Sequence, residues 1–186
     1  MKIGLLFGTF DPIHIGHINM AASALNSEIV NHILFVPTMQ NVFKDDKPAS
    51  FYYRCHMIYL ALQGIKNCEI CSIDYKSSTP YYSYKTLTLI KEIYPEDELY
   101  LIIGADVYDT IDLWENSQWI KDNFKIIVVT RPGHPVNSDI SYKHMIFENF
   151  DVSSTTIRHL IKSGKETIPL IPKSVKHFIE KYELYK

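Results

Sequence analysis

Short apolar runs rich in β-branched residues alternate along this chain with longer amphipathic stretches, and that alternation leaves few folds open. Ile3 to Phe7 reads as a strand, and beyond a polar loop Ile18 to Leu25 has helical spacing. Ile33-Leu34-Phe35-Val36, closed by Pro37, is a second strand; Ser50 then caps a helix to about Gln63, which Gly64 ends. A strand around Ile70 to Ile73, a helix from Ser83 to Tyr94 and a strand from Leu99 to Ile103 follow. Short helical segments near Ala105 to Thr110 and Ser117 to Asn123 precede Phe124 to Thr130, a run apolar enough for a strand buried on both faces. The remainder reads as a short strand near Met145 to Phe147, a helix from Thr155 to Lys162 and a last helix from about Lys173 to Tyr182, started by Pro172. Repeated strand and helix in this order predict an α/β fold, a doubly wound parallel sheet with helices on both faces.

The 186 residues are enough for one such Rossmann-like domain, so a single domain over 1–186 is expected, with a C-terminal helical part over about 153–186. A net charge of -2 argues against a protein that coats a nucleic-acid backbone, which needs a broad basic face. No stretch approaches the length of a membrane span, and the apolar run at Ile3 to Phe7 is too short for a signal peptide. The expectation is a cytoplasmic protein, with no nucleic-acid or membrane partner and with a homo-oligomer left open. Three cysteines, an odd number, fit a reducing compartment. Cys68 and Cys71 have C-x-x-C spacing, but in a strand positions three apart face opposite sides, so the thiols are expected to be packing residues and no protein metal site is assigned.

In a doubly wound sheet ligands bind beyond the carboxyl ends of the strands, which directs attention to the first loop, Gly8-Thr9-Phe10-Asp11-Pro12-Ile13-His14-Ile15-Gly16-His17. Gly8 and Gly16 let backbone amides approach a phosphate, and a helix start favours an anion. His14 and His17 bracket that helix start, an arrangement suited to stabilising charge that develops on a phosphoryl group under attack. Read alone, one histidine would cap the helix and the other would pack; Asp11 is the only nearby residue that could join them on a metal, too few for a first shell. Far along the chain, Ser153-Ser154-Thr155-Thr156-Ile157-Arg158 places hydroxyls at a helix start and an arginine one turn in, which can grip the β- and γ-phosphates of a triphosphate.

His14-Ile15-Gly16-His17 resembles the His-x-Gly-His signature of the nucleotidyltransferase superfamily, and Val152 to Arg158 resembles its Ile-Ser-Ser-Thr-x-x-Arg signature. The superfamily shares its fold core with class I aminoacyl-tRNA synthetases, for which this chain is too short. Ser83-Tyr84-Lys85-Thr86-Leu87-Thr88-Leu89 is similar to the Ser-Tyr-Thr-x-x-Thr-Leu segment of bacterial nicotinate-mononucleotide adenylyltransferases, with Lys85 in place of a threonine. Ile103-Gly104-Ala105-Asp106, the downstream Trp114, Arg131-Pro132-Gly133 and the ending from Ile171 to Tyr185 are similar too, so the resemblance spans the chain. Where many members have Pro-Pro-His-Lys, this chain has Asn41-Val42-Phe43-Lys44.

The resemblance implies transfer of the adenylyl group of ATP to nicotinate mononucleotide, with Mg²⁺ carried by the ATP phosphates. It implies catalytic roles for His14 and His17, and ATP binding by Gly8, Thr9, Phe10, Gly16, Gly104, Asp106, Ser153, Ser154, Thr155 and Arg158. Mononucleotide binding falls to Lys44, Ser83, Tyr84, Lys85, Trp114 and Arg131. Trp114 would stack on the pyridine ring, and backbone amides near Tyr84, Lys85 and Trp114 would receive its carboxylate. Nicotinamide mononucleotide or another phosphate ester as substrate, or a nucleotide sensor without turnover, are the alternatives; both histidines being intact speaks against the sensor.

Overall fold

A computed structural model describes residues 1–39, 48–76, 83–130, 144–146 and 152–186, without the side chains of Lys76, Asp106 and residues 144–146. Among these residues six parallel strands, β1 (Lys2–Gly8), β2 (His32–Pro37), β3 (Cys68–Ile70), β4 (Glu98–Gly104), β5 (Lys125–Thr130) and β6 (His144–Ile146), form one sheet in the order β3-β2-β1-β4-β5-β6. The order reverses between β1 and β4, so a crevice opens at the carboxyl ends of those two strands. Among the described residues, seven helices accompany the strands: α1 (Ile15–Asn26), α2 (Phe51–Ala61), α3 (Ser83–Ile93), α4 (Ala105–Tyr108), α5 (Ser117–Asn123), α6 (Ser154–Lys162) and α7 (Lys173–Lys181).

The strands are apolar on both sides because both sides are covered. Leu6, Ile33, Phe35, Ile102, Ile127 and Val129 pack against residues of α1, α2, α6 and α7 such as Ala21, Ile58, Ile157 and Phe178. Ile3, Leu5, Leu34, Leu101 and Ile103 face the other way, onto Leu87 and Ile90 of α3 and Ile120 of α5. The period of two along each strand thus feeds two separate cores.

Element bounds follow the sequence closely, with differences that have local causes. The third strand covers Cys68–Ile70 rather than Ile70 to Ile73; Cys71 still donates its amide to Phe35 O at 2.8 Å, but the chain then tightens into a 3-10 turn over Ile73–Lys76. A second 3-10 turn, Ile111–Leu113, sits where no element was expected. α1 begins at Ile15, earlier than its apolar periodicity indicates, because His14 rather than an apolar residue starts it. Cys68 packs with the first core and Cys71 with the second, the opposite facing that their spacing implies. Burial pushes the Cys68 thiol up to about 11 and raises those of Cys55 and Cys71, so none is a ready nucleophile. Among the described residues, no helix is long and apolar enough to cross a membrane.

Candidate active site

The loop from Gly8 to His14 lies at the end of β1, beside the reversal of strand order. His14 is the N-cap of α1, and its amide donates to Nδ1 of His17, the third helical residue, at 3.3 Å. The two imidazoles stack with centroids 3.7 Å apart and planes at 27°, and Phe10 meets His17 edge-on at 4.8 Å. Gly16 makes this stack possible: a Cβ there would stand 3.0 Å from His14 Nδ1 and 3.3 Å from Val152 Cγ1. His14 thus takes the N-cap position expected of a lone histidine, and its ring stacks on that of His17. Ile15 donates its amide to Leu170 O and His17 to His14 O, both at 3.0 Å, so these two first-turn amides already have partners.

The distant hydroxyl-rich motif docks on the same loop. Ser153 caps α6, accepting from the Thr156 amide at 3.1 Å. Ser154 Oγ donates to Pro12 O at 2.9 Å, and Arg158 Nη1 donates to Asp11 O at 2.9 Å while lying 3.8 Å from the Asp11 carboxylate. Arg158 Nη2 also reaches Thr155 Oγ1 at 3.4 Å. Ser154 and Arg158 thus hold the histidine loop in place, a duty that the triphosphate-gripping expectation did not include.

Two buried polar residues that sequence reasoning passed over complete the framework. Arg54 of α2, only 1% exposed, donates from Nη1 to Thr9 O and Thr38 O at 2.7 Å, from Nε to Ala49 O at 2.9 Å and from Nη2 to Met39 O at 3.1 Å. It clamps the loops that follow β1 and β2. The signal was present: Phe51, Arg54, Ile58 and Ala61 share the apolar stripe of α2, and an arginine on such a stripe must satisfy its donors internally. Asp74, in the first 3-10 turn, accepts from Thr86 Oγ1 and from the Met39 amide, joining the first turns of α3 to the loop after β2.

Ser83, Tyr84 and Lys85 open α3 on the opposite face of the sheet from α1. Their amides belong to a helix's first turn, where no intrahelical acceptor exists. Tyr84 packs edge-on against Trp119 at 4.9 Å. Trp114, half-buried beside the second core, closes the 3-10 turn by donating its amide to Ile111 O at 3.1 Å. Gly104 is the N-cap of α4 and Asp106 its second residue; the Asp106 side chain, Lys44 and Arg131 lie outside the described residues.

The cytidylyltransferase-like family matches residues 5–160. A nicotinate-nucleotide adenylyltransferase of Bacillus subtilis is 34% identical over 100% of this chain and 98% of its own length. Among solved structures, Plasmodium falciparum nicotinic acid mononucleotide adenylyltransferase complexed with NaAD is 20% identical, with a TM-score of 0.80 over 99% of this chain and 97% of its own. The same enzyme complexed with APC gives a TM-score of 0.77 at 19% identity, over 99% and 96%. With its two signature motifs meeting on one loop and this likeness running end to end, the chain belongs to the nicotinate-nucleotide adenylyltransferase family.

Proposed function

We propose that this protein transfers the adenylyl group of ATP to nicotinate mononucleotide, forming nicotinate adenine dinucleotide and pyrophosphate. The observation that carries this reading is the stacked His14–His17 pair over Gly16, with Ser154 and Arg158 of the second motif bound to the same loop. A phosphate oxygen of the mononucleotide attacks the α-phosphorus of ATP, a new P–O bond forms, and the bond to the β-phosphate oxygen breaks. The imidazoles and Arg158 oppose the negative charge that grows on the transferring phosphoryl oxygens and on departing pyrophosphate. No covalent intermediate is needed, since holding two anions in line supplies much of the acceleration.

Gly8, Thr9, Phe10, Gly16, Gly104 and Asp106 line the ATP half in this reading, with Ser153, Ser154, Thr155 and Arg158 at its phosphates. The mononucleotide half comprises Lys44, Ser83, Tyr84, Lys85, Trp114 and Arg131. The Asp11 carboxylate, already engaged by Tyr185, the Ala49 amide and Arg158, is not a ready metal ligand. Mg²⁺ would be carried by the ATP phosphates and would neutralise their charge there. The proposed location is the cytoplasm, where the three free cysteines stay reduced.

Pyrophosphate release from ATP, measured with nicotinate mononucleotide, nicotinamide mononucleotide and phosphopantetheine in turn, tests the reading. Release with the first at the highest kcat/KM is expected. Faster release with either of the others would reassign the substrate, and no release with any would leave nucleotide binding without turnover.

A further inference from the structure

The segment after α7 returns to the histidine loop. Leu184 donates its amide to Ile179 O at 3.0 Å and Glu183 to Glu180 O at 3.3 Å, the paired bonds of a Schellman motif, with Glu183 left-handed at φ 52°. Tyr185, also left-handed at φ 66°, then places its hydroxyl 2.6 Å from Asp11 Oδ1, to which it donates. Its ring packs beside the core that contains Phe10 and Ile13. Two non-glycine residues in this backbone region within three positions are held there only where surrounding contacts over-determine them.

Asp11 is the hub of the loop. It is 6% exposed and stands three residues before His14; Oδ1 also accepts from the Ala49 amide at 3.2 Å, and Arg158 holds its main-chain oxygen. Burial first, and the Asp11 carboxylate second, push the Tyr185 hydroxyl far above the usual phenol range, so it remains a donor at any working pH.

We propose that Tyr185 is a positioning residue for the His14–His17 pair. By donating to Oδ1 it sets the Asp11 carboxylate between the Tyr185 segment and Arg158, and so fixes where the loop stands when the imidazoles meet the phosphoryl group. The proposal rests on the adenylyl-transfer reading above. Without the hydroxyl, the carboxylate is drawn toward the Arg158 guanidinium, 3.8 Å away, and the loop shifts with it. Preorganised groups act only at the right distance, and a displacement of roughly 1 Å costs up to about 10²-fold in rate.

Tyr185→Phe keeps the ring and removes the hydroxyl, and Tyr182→Phe, at the exposed C-cap of α7, is the control. The expected result for Tyr185→Phe is a kcat lower by about tenfold with KM for both substrates within about twofold, and no such loss for the control. The ring proton resonances of His14 and His17 in the free protein should move in Tyr185→Phe and stay in Tyr182→Phe. Combined with Asp11→Ala, which removes the acceptor, Tyr185→Phe should add no further loss, since both act through one contact. A kcat within about twofold of the parent, or losses that multiply in the double variant, overturns the proposal. So does a Tyr185→Phe protein that fails to fold, which would make the contact structural. If the parent forms no dinucleotide, the adenylyl-transfer reading fails, and the histidine resonances alone decide whether Tyr185 positions the pair.

Discussion

His17 is held on two sides before any substrate arrives, stacked on His14 and edge-on to Phe10. A donor oriented in advance pays no reorganisation cost at the transition state, so its loss should appear in kcat rather than in folding. His17→Ala is expected to fold normally and to lose on the order of 10² to 10³ in kcat. Single-turnover rates at saturating ATP would measure this, and a change under about twofold would remove His17 from the chemistry. Arg158 differs because it touches the loop itself. Arg158→Ala should raise KM for ATP through lost phosphate contacts, and it should also lower kcat because Asp11 O loses its donor. A rise confined to KM for the mononucleotide would place the arginine on the other substrate.

At the level of the element, helix ends carry the site. α6 starts with Ser153 accepting the Thr156 amide, and it stops in a Schellman motif where Gly164 takes φ 66° and Lys165 donates to Leu160 O at 2.9 Å. α7 stops in the same motif with Glu183 in the glycine position. A left-handed conformation costs a residue with a Cβ about 1 to 2 kcal/mol, and the ion pair of exposed Glu183 with Lys186 returns little of that. Glu183→Gly is therefore expected to stabilise the fold by about 1 kcal/mol, less the added chain entropy of glycine when unfolded. Urea midpoints at a constant slope would show it; a destabilised variant would mean that the Glu183 side chain holds the turn that delivers Tyr185.

For the molecule as a whole, the reversal of strand order between β1 and β4 puts α1 and α6 on one side of the crevice and α3 on the other. In the proposed reaction the pyridine carboxylate would be received by backbone amides near Tyr84, Lys85 and Trp114, with the Lys85 side chain in the first turn of α3. Amides donate to a carboxylate but leave the NH₂ of a carboxamide unpaired, a mismatch worth about 1 to 3 kcal/mol. The acid mononucleotide should thus exceed the amide by about tenfold or more in kcat/KM, and Trp114→Ala should weaken both through lost stacking. Competing the two in one reaction with limiting ATP decides the matter: equal yields of both dinucleotides would refute acid selectivity while leaving adenylyl transfer intact.

Local chemistry was written in the sequence. Strand and helix periods gave the doubly wound sheet, because alternation of apolar residues dictates which faces must be buried. The His14 and His17 spacing around a helix start was legible in the sequence, whereas the room that Gly16 leaves for the His14 ring was not. Ser50 and Ser153 announced helix starts through hydroxyls that accept amides. The short third strand was misplaced because its tightening into a 3-10 turn depends on Asp74 meeting Thr86 and the Met39 amide, a contact that no local period encodes. Tyr185 and Asp11 are 174 positions apart, and Ser154 and Pro12 are 142 apart. Such bonds exist only once the sheet has brought both segments to its carboxyl edge, so tertiary structure alone decided that Arg158 and Ser154 brace the loop and that Arg54 clamps it. Side-chain type specifies which bonds a residue can make, whereas the fold decides which partner comes within reach.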